Sequence, residues 1–251
     1  GEGPPRLFVR LSRDVVTVSV DVSGPLLHKR GYRLFSGKAP MRETLAAAVV
    51  QSVHEHLVPD AAIDETLLDK FSLWDPLCGS GTLVIEAMSQ ALRIPSSHAR
   101  DRPFGFEAWP VHKPLDYGTF VEGLAREGRG DASGIVAVGS DMDPKAVRGS
   151  QGNAKRAGLN TDVGCTFVRH TLGTRTQGGA GAAKKKGPHE VLEAGGKEVV
   201  VLGNLPYGDR LGIGTAKVAA ASLEALLVAN PSYRGYAVAR IGLLERRRVT
   251  G

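Results

Sequence analysis

FSLWDPLCGSGTLVIEAM, residues 71–88, decides the fold. Its first five residues read as a buried strand ending in Asp75, and Pro76 stops it. Gly79 and Gly81 then bracket Ser80 in a tight turn, and Thr82 opens an apolar run of helical character. Strand, glycine turn and helix in direct succession form the repeating unit of open parallel sheets. In such sheets ligands bind just past the strand's carboxyl end. Glycines let the backbone approach a ligand closely. The helix N-terminus offers unpaired N–H groups and a partial positive charge, suited to a carboxylate or phosphate.

The same rhythm continues on both sides. GIVAVGSD (134–141) reads as a strand, followed by the helix PKAVRGSQGNAKRAG (144–158), with Asp143 as N-cap and Pro144 in the first helical position. VGCTFVRH (163–170), EVVVLGN (198–204) and GYAVAR (235–240) read as further strands, and TAKVAAASLEALLVAN (215–230) as a helix. Upstream, MRETLAAAVVQSVHEHL (41–57) has helical spacing, and LFVRLSRDVVTVSVDV (7–22) reads as two short strands around Ser12-Arg13-Asp14. The expectation is an α/β fold, a mostly parallel sheet with helices on both faces over residues 39–251. A short β-hairpin extension and linker occupies 1–38. Two stretches interrupt the pattern: a Pro- and Arg-bearing insertion at 95–130, and a Gly/Ala/Lys-rich segment at 173–198, expected to be a mobile loop.

The chain has 251 residues, 42% of them hydrophobic, enough for one sizeable core. A net charge of +6 fits a polyanionic partner, nucleic acid first, and equally a solvated basic surface. Two cysteines, Cys78 and Cys165, do not make a secreted disulfide scaffold. No stretch is long and apolar enough to span a membrane, and the N-terminus lacks the apolar core of a signal peptide. An intracellular, by default cytoplasmic, location is expected, and the abrupt start reads as that of a fragment.

A lone Gly-x-Gly turn is a weak signal; it also fits a tight turn with no ligand, or a dinucleotide site. The dinucleotide fingerprint wants a third glycine where this chain has Val84. Asp75 at the strand end would repel a pyrophosphate but suits an amino group. A ligand with both an amine and a carboxylate, such as the methionine end of S-adenosylmethionine, fits Asp75 plus Gly79–Gly81 better than NAD. Asp141 ends the next strand, where a carboxylate can accept from both ribose hydroxyls; Asp143 is more simply the N-cap. Asn204-Leu205-Pro206-Tyr207 follows the strand expected to lie beside 71–75. Asn204 and the Leu205 carbonyl are acceptors that can grip an exocyclic base amine, and Tyr207 can stack on the base. Alone, this tetrapeptide is also an ordinary turn with Pro206 as breaker.

DPLCGSGTLVIEAM, GSDMDP with NAKRAG, and NLPYGDRLG together resemble the successive motifs of class I S-adenosylmethionine-dependent methyltransferases. VDVSGPLLHKRGYR followed by APMRETLAAA, and the insertion's RPFGFEAWP, are similar to the THUMP-associated RNA guanine-N2 methyltransferases. The resemblance covers most of residues 8–212 and implies a Rossmann-like fold acting on 23S rRNA, with tRNA-acting cousins. It implies that Asp75, Cys78, Gly79, Ser80, Gly81 and Thr82 cradle the cofactor and that Asp141, with Met142, holds the ribose. Pro40 and Thr44 would touch the methionine end, and Asn204, Leu205, Pro206 and Tyr207 would receive the base. No metal is implied. The family often places an aspartate after the third strand to read the adenine amine; here Arg169-His170-Thr171 stands there, so His170 or Thr171, or a backbone group, would substitute. Leu205 replaces the first proline of a common Asn-Pro-Pro-Tyr. The 251 residues contain no stretch that resembles the usual RNA-binding THUMP domain, which is expected in the full-length protein. IGLLERRRVTG at the C-terminus reads as too short for the last hairpin of a seven-stranded sheet.

The basic HKRGYR (28–33), with Arg6, Arg10 and Arg13 before it, fits two roles. It could follow an RNA backbone with Tyr32 interleaved, or Arg30 and Arg33 could form salt bridges to the catalytic domain. Guanine N2 and adenine N6 share the Asn-x-Pro-Tyr chemistry, so that motif does not separate them. A cytosine-C5 enzyme would need a nucleophilic cysteine near this turn. A catalytically silent RNA-binding module is the reading of another class, and a nicotinamide-linked oxidoreductase is disfavoured by Val84.

Overall fold

A computed structural model of the chain describes residues 6–24, 26–37, 40–112, 116–128, 132–162, 164–172, 187–205, 213–239 and 242–246. An antiparallel hairpin of β1 (Leu7–Ser12) and β2 (Val15–Val20) comes first. Arg13 and Asp14 both take positive φ, 49° and 59°, as a two-residue type I′ turn requires. The register puts Leu7, Val9, Leu11, Val16, Val18 and Val20 on one face and Phe8, Arg10, Ser12, Val15, Thr17 and Ser19 on the other. All twelve side chains are exposed.

The main domain follows as α1 (Glu43–Leu57), α2 (Leu67–Lys70), β3 (Phe71–Asp75), α3 (Thr82–Ala91), α4 (Tyr117–Glu127), β4 (Ala137–Asp141), α5 (Pro144–Arg156), β5 (Cys165–Arg169), α6 (Pro188–Ala194), β6 (Glu198–Asn204), α7 (Ile213–Ala229), β7 (Arg234–Ala239) and β8 (Gly242–Arg246). The sheet order is β5-β4-β3-β6-β7-β8, parallel except for β8, which pairs antiparallel with β7. The chain begins in the middle at β3, runs outward through β4 and β5, and then crosses to β6 on the other side. The ends of β3 and β6 therefore flank the topological switch point, where connections leave in opposite directions and a crevice opens.

Strand alternation sorts the core into two layers. Leu73, Ala137, Phe167, Val200 and Leu202 face α1, α3 and α5, where Ala46, Val50, Val53, Val84, Ile85, Met88 and Ala154 complete one cluster. Trp74, Val138, Val199 and Val201 face α6 and α7 with Leu192, Leu223 and Leu226. β6 is buried on both faces from Val199 to Gly203, which is why its sequence is continuously apolar rather than alternating. α3 lies against the sheet centre, its run from Thr82 to Met88 wholly buried.

One expectation changes. The segment 173–198 is not a loop throughout: Gly187 and Pro188 start α6, whose Leu192 is fully buried against the sheet, while 173–186 lies outside the described residues. The C-terminal stretch supplies one strand, Gly242–Arg246 against β7, and the described sheet has six strands rather than seven. The insertion at 95–130 contains α4 and a 3-10 turn at Gly105–Ala108, and α2 was not legible as a helix. Among the described residues no helix is long and apolar enough to cross a membrane.

Candidate active site

Asp75 closes β3 with its side chain 2% exposed. Its Oδ1 accepts from the Leu77 N–H at 3.1 Å, and among the described residues no lysine or arginine pairs with it. Burial is the main force pushing its pKa up to about 8; the nearby Asp141 charge adds to this and the Leu77 bond opposes it. Asp75 is thus a buried carboxyl without a cation among the described residues.

The loop that follows is tied down by its own backbone. The Cys78 N–H donates to the Ser140 carbonyl, the Gly81 N–H to the Cys78 carbonyl, and the Gly79 N–H to Asp141 Oδ2 at 3.1 Å. These amides are therefore engaged within the protein. The donors left for an anion are those of Ser80 and of the first turn of α3, which has no side-chain cap because Gly81 occupies the cap position. The two glycines do different work. Gly79 takes φ +52° and a Cβ there would meet nothing within 4 Å, so it borders open space. Gly81 takes φ +81° and a Cβ would sit 2.8 Å from Ser150 Cβ and 2.9 Å from the Phe167 ring, so it lets the loop press onto α5 and β5. Cys78 is buried, and desolvation holds its thiol well above the ordinary range, which makes it a small neutral packing residue.

Asp141 ends β4 next to Asp75. Oδ2 accepts from Gly79 and Oδ1 from the Asp143 N–H at 2.9 Å. Its two oxygens offer about four acceptor sites, so capacity remains for ribose hydroxyls. Asp143 caps α5 by accepting from Lys145 N–H. Met142 is exposed, and its carbonyl accepts from Arg169 Nε.

Asn204 ends β6 across the switch point from Asp75. Its Oδ1 is shielded from solvent and has no hydrogen-bond partner among the described residues. Leu205 packs against the Trp74 cluster. Pro206 and Tyr207 lie outside the described residues. The His170 N–H donates to the Asp141 carbonyl, while its ring turns into the aromatic group of Trp74 and His189, at 5.8 and 6.3 Å between centroids. Burial there lowers its pKa. Thr171 is exposed. Pro40 and Thr44 are exposed at the start of α1, and their neighbours Met41 and Glu43 are the buried members of that turn.

Behind this site, the sequence offered salt bridges for Arg30 and Arg33 but not their partners, and it missed Glu43, Glu86 and Asn153. Tyr32 is 3% exposed and donates to Glu86 Oε1 at 2.9 Å; Arg30 Nε lies 3.1 Å from the same oxygen. Arg33 Nε lies 3.4 Å from Glu43 Oε1, and its Nη2 donates to Thr82 Oγ1 at 3.0 Å and to the Met41 carbonyl. Of the two readings of HKRGYR, the salt-bridge one holds for Arg30 and Arg33, and buried Tyr32 does not interleave with a nucleic acid. Asn153 of α5, 1% exposed, uses all four of its hydrogen-bonding positions. Oδ1 accepts from the Leu34 and Phe35 N–H groups, and Nδ2 donates to the Phe35 and Ser80 carbonyls.

The profile of the family described as UPF0020, RMKL-like, methyltransferase domain matches residues 30–177, more than half of the chain. The chain belongs to this family. Among its relatives, a "Ribosomal RNA large subunit methyltransferase K/L" of Psychromonas ingrahamii is 36% identical over 205 residues, covering 81% of this chain and 23% of the relative. A protein of the same name from Vibrio cholerae serotype O1 is 34% identical over 209 residues, covering 82% and 25%. The chain thus spans about a quarter of the length of these curated relatives. Among solved structures, a predicted N6-adenine-specific DNA methylase from Listeria monocytogenes str. 4b F2365 superposes with a TM-score of 0.66 at 26% identity, covering 92% of this chain and 52% of that one. SMU.472, solved in complex with SAH, gives 0.64 at 25% identity, covering 94% and 53%. The matched family segment contains the glycine loop and Asp141 and stops short of Asn204.

Proposed function

We propose that this domain transfers a methyl group from S-adenosylmethionine to the exocyclic N2 amine of guanine in structured RNA, ribosomal first and transfer RNA second. The observation that carries it is the pairing, across one switch point, of a buried carboxyl without a cation, Asp75, and a shielded amide oxygen without a donor, Asn204. Asp75 is the acceptor for an α-ammonium. Ser80 and the uncapped start of α3 supply donors for the adjoining carboxylate, and Asp141 supplies acceptors for the ribose. S-adenosylmethionine, when bound, supplies an electrophilic methyl group. Asn204 Oδ1 and the Leu205 carbonyl accept the two amine hydrogens, which turns the nitrogen lone pair toward that methyl. The amine's lone pair is delocalised into the ring, so its orientation is the main contribution these residues make. The proton leaves after transfer, and no strong general base is needed.

The choice of ribosomal RNA is supported by the names of the relatives, and that of guanine by the resemblance in residues 20–48 and in the insertion at 102–110. Capture of the RNA by a further domain is part of the proposal. A second reading, transfer to adenine N6, is favoured by the likeness to the Listeria protein, a predicted N6-adenine-specific methylase, and uses the same Asn204 geometry.

The test incubates the chain with methyl-labelled S-adenosylmethionine and unmodified total RNA, followed by digestion to nucleosides and mass spectrometry. Label in N2-methylguanosine is expected; label in N6-methyladenosine would replace the first reading by the second. No label in either nucleoside, with the cofactor bound, would refute transfer by this chain. Asn204→Ala should lower transfer by about a hundredfold or more while leaving cofactor affinity in place.

A further inference from the structure

We propose that Arg33 is a positioning residue for the carboxylate end of the cofactor, acting through a relay of the Thr82 and Ser80 hydroxyls. This rests on the cofactor reading above. The Arg33 guanidinium makes two hydrogen bonds through Nη2, to the Met41 carbonyl and to Thr82 Oγ1 of α3, while its Nε lies in ion-pair range of Glu43 of α1, 3.4 Å away, without a hydrogen bond. Glu43 is 4% exposed and Thr82 is 3% exposed, so neither contact is open to water. A guanidinium has donors only. Thr82 Oγ1 must therefore accept from Arg33, and its own proton is free to go to Ser80 Oγ, 3.1 Å away. The Ser80 hydroxyl proton is then left over. Ser80 lies in the glycine loop beside the first turn of α3, whose amides have no side-chain cap, and the proposal directs its proton there. The donor-only arginine takes one of the two Thr82 lone pairs; in the proposal the Thr82 proton then goes to Ser80, and the Ser80 hydroxyl donates where an anion would sit.

The arrangement exceeds what an ion pair needs. Glu43 would be neutralised by Arg33 Nε alone, and buried ion pairs contribute little net stability beyond avoiding an unpaired charge. The second arm, reaching a hydroxyl of the loop-proximal turn, is not part of that neutralisation. The same connection fixes the Ser80 backbone independently, through Asn153. Arg33 thus governs the side chains of the cradle and Asn153 its main chain.

The experiment compares two ligands by calorimetry: S-adenosylhomocysteine and its decarboxylated analogue. Arg33→Lys keeps a cation opposite Glu43, and so preserves the fold, but lacks the second arm. It should weaken S-adenosylhomocysteine about tenfold and leave the analogue bound as by the wild type. Thr82→Val should show the same carboxylate-selective loss, and the double variant should be no weaker than Thr82→Val, because one relay is broken twice. Equal losses for both ligands, no loss, or additive losses in the double variant would each overturn the relay. Wild-type protein that fails to bind S-adenosylhomocysteine would instead refute the cofactor reading, and this inference with it.

Discussion

With Asp75 as the proposed acceptor of the cofactor's ammonium, cofactor binding is expected to release a proton. Its pKa in the free domain is pushed up to about 8, mainly by burial, so near pH 6.5 it is almost fully protonated. A free α-amine has a pKa of about 7.7–8.0, so at pH 6.5 the ligand arrives already charged. Pairing the ammonium with Asp75 requires the carboxylate. About one proton should therefore leave per ligand bound at pH 6.5, and affinity should rise about tenfold per pH unit until the ligand amine itself begins to titrate. The sign for stability is the opposite of that for a salt-bridged aspartate. Between about pH 4 and 8 the folded state holds a proton that the unfolded chain has lost. The ligand-free domain therefore loses stability as pH rises through that window, by an amount on the order of a few kcal/mol. Asp75→Asn should remove this slope and resist unfolding better than the wild type above pH 8, while binding the cofactor far more weakly. Titration calorimetry of S-adenosylhomocysteine in buffers of different ionisation enthalpy counts the protons directly. No proton release at pH 6.5, or affinity flat between pH 6 and 7.5, would refute the assignment of Asp75 to the ammonium.

Asp141→Ala should weaken cofactor binding by about 1–3 kcal/mol, since it removes the ribose acceptors and also frees the Gly79 and Asp143 amides; unchanged affinity would move the ribose contact elsewhere. Gly81→Ala should lower stability by about 2–4 kcal/mol in a thermal melt, because its Cβ meets Ser150 and Phe167 at under 3 Å in a positive-φ residue. Gly79→Ala meets nothing, so it should cost stability only the roughly 1–2 kcal/mol of its backbone conformation yet impair cofactor binding. If instead Gly81→Ala melts like the wild type, the packing role argued for that glycine is wrong.

The strand ends were legible because each carries a local signature. Asp75, Asp141 and Asn204 each terminate an apolar run, and Asp143-Pro144 marks the start of α5 by cap chemistry. The adjacency of β3 and β6 followed from parallel-sheet topology. What lay behind the site was not legible. Arg33 meets Thr82, and Arg30 and Tyr32 meet Glu86, across about fifty intervening residues, and no short-range periodicity encodes such pairings. Thr44, which the family resemblance singled out, is exposed, while the carboxylate beside it, Glu43, is buried. α6 was hidden because its few residues follow a Gly/Ala/Lys-rich run, and only the sheet face that buries Leu192 makes it a helix.

Asn153 also bears on how the domain comes to exist. Its single amide joins Leu34 and Phe35 to Ser80 although these lie 118–119 and 73 residues away in sequence. Such distant closures are slow steps in folding, because chain entropy must be given up before the contacts form. A chain emerging from the ribosome can form β3, the glycine turn and α3 early, but the carbonyl of Ser80 has no anchor until residue 153 has been made. The cofactor cradle is therefore a late product of folding, acquired only when the amino-terminal connection and α5 close on it together.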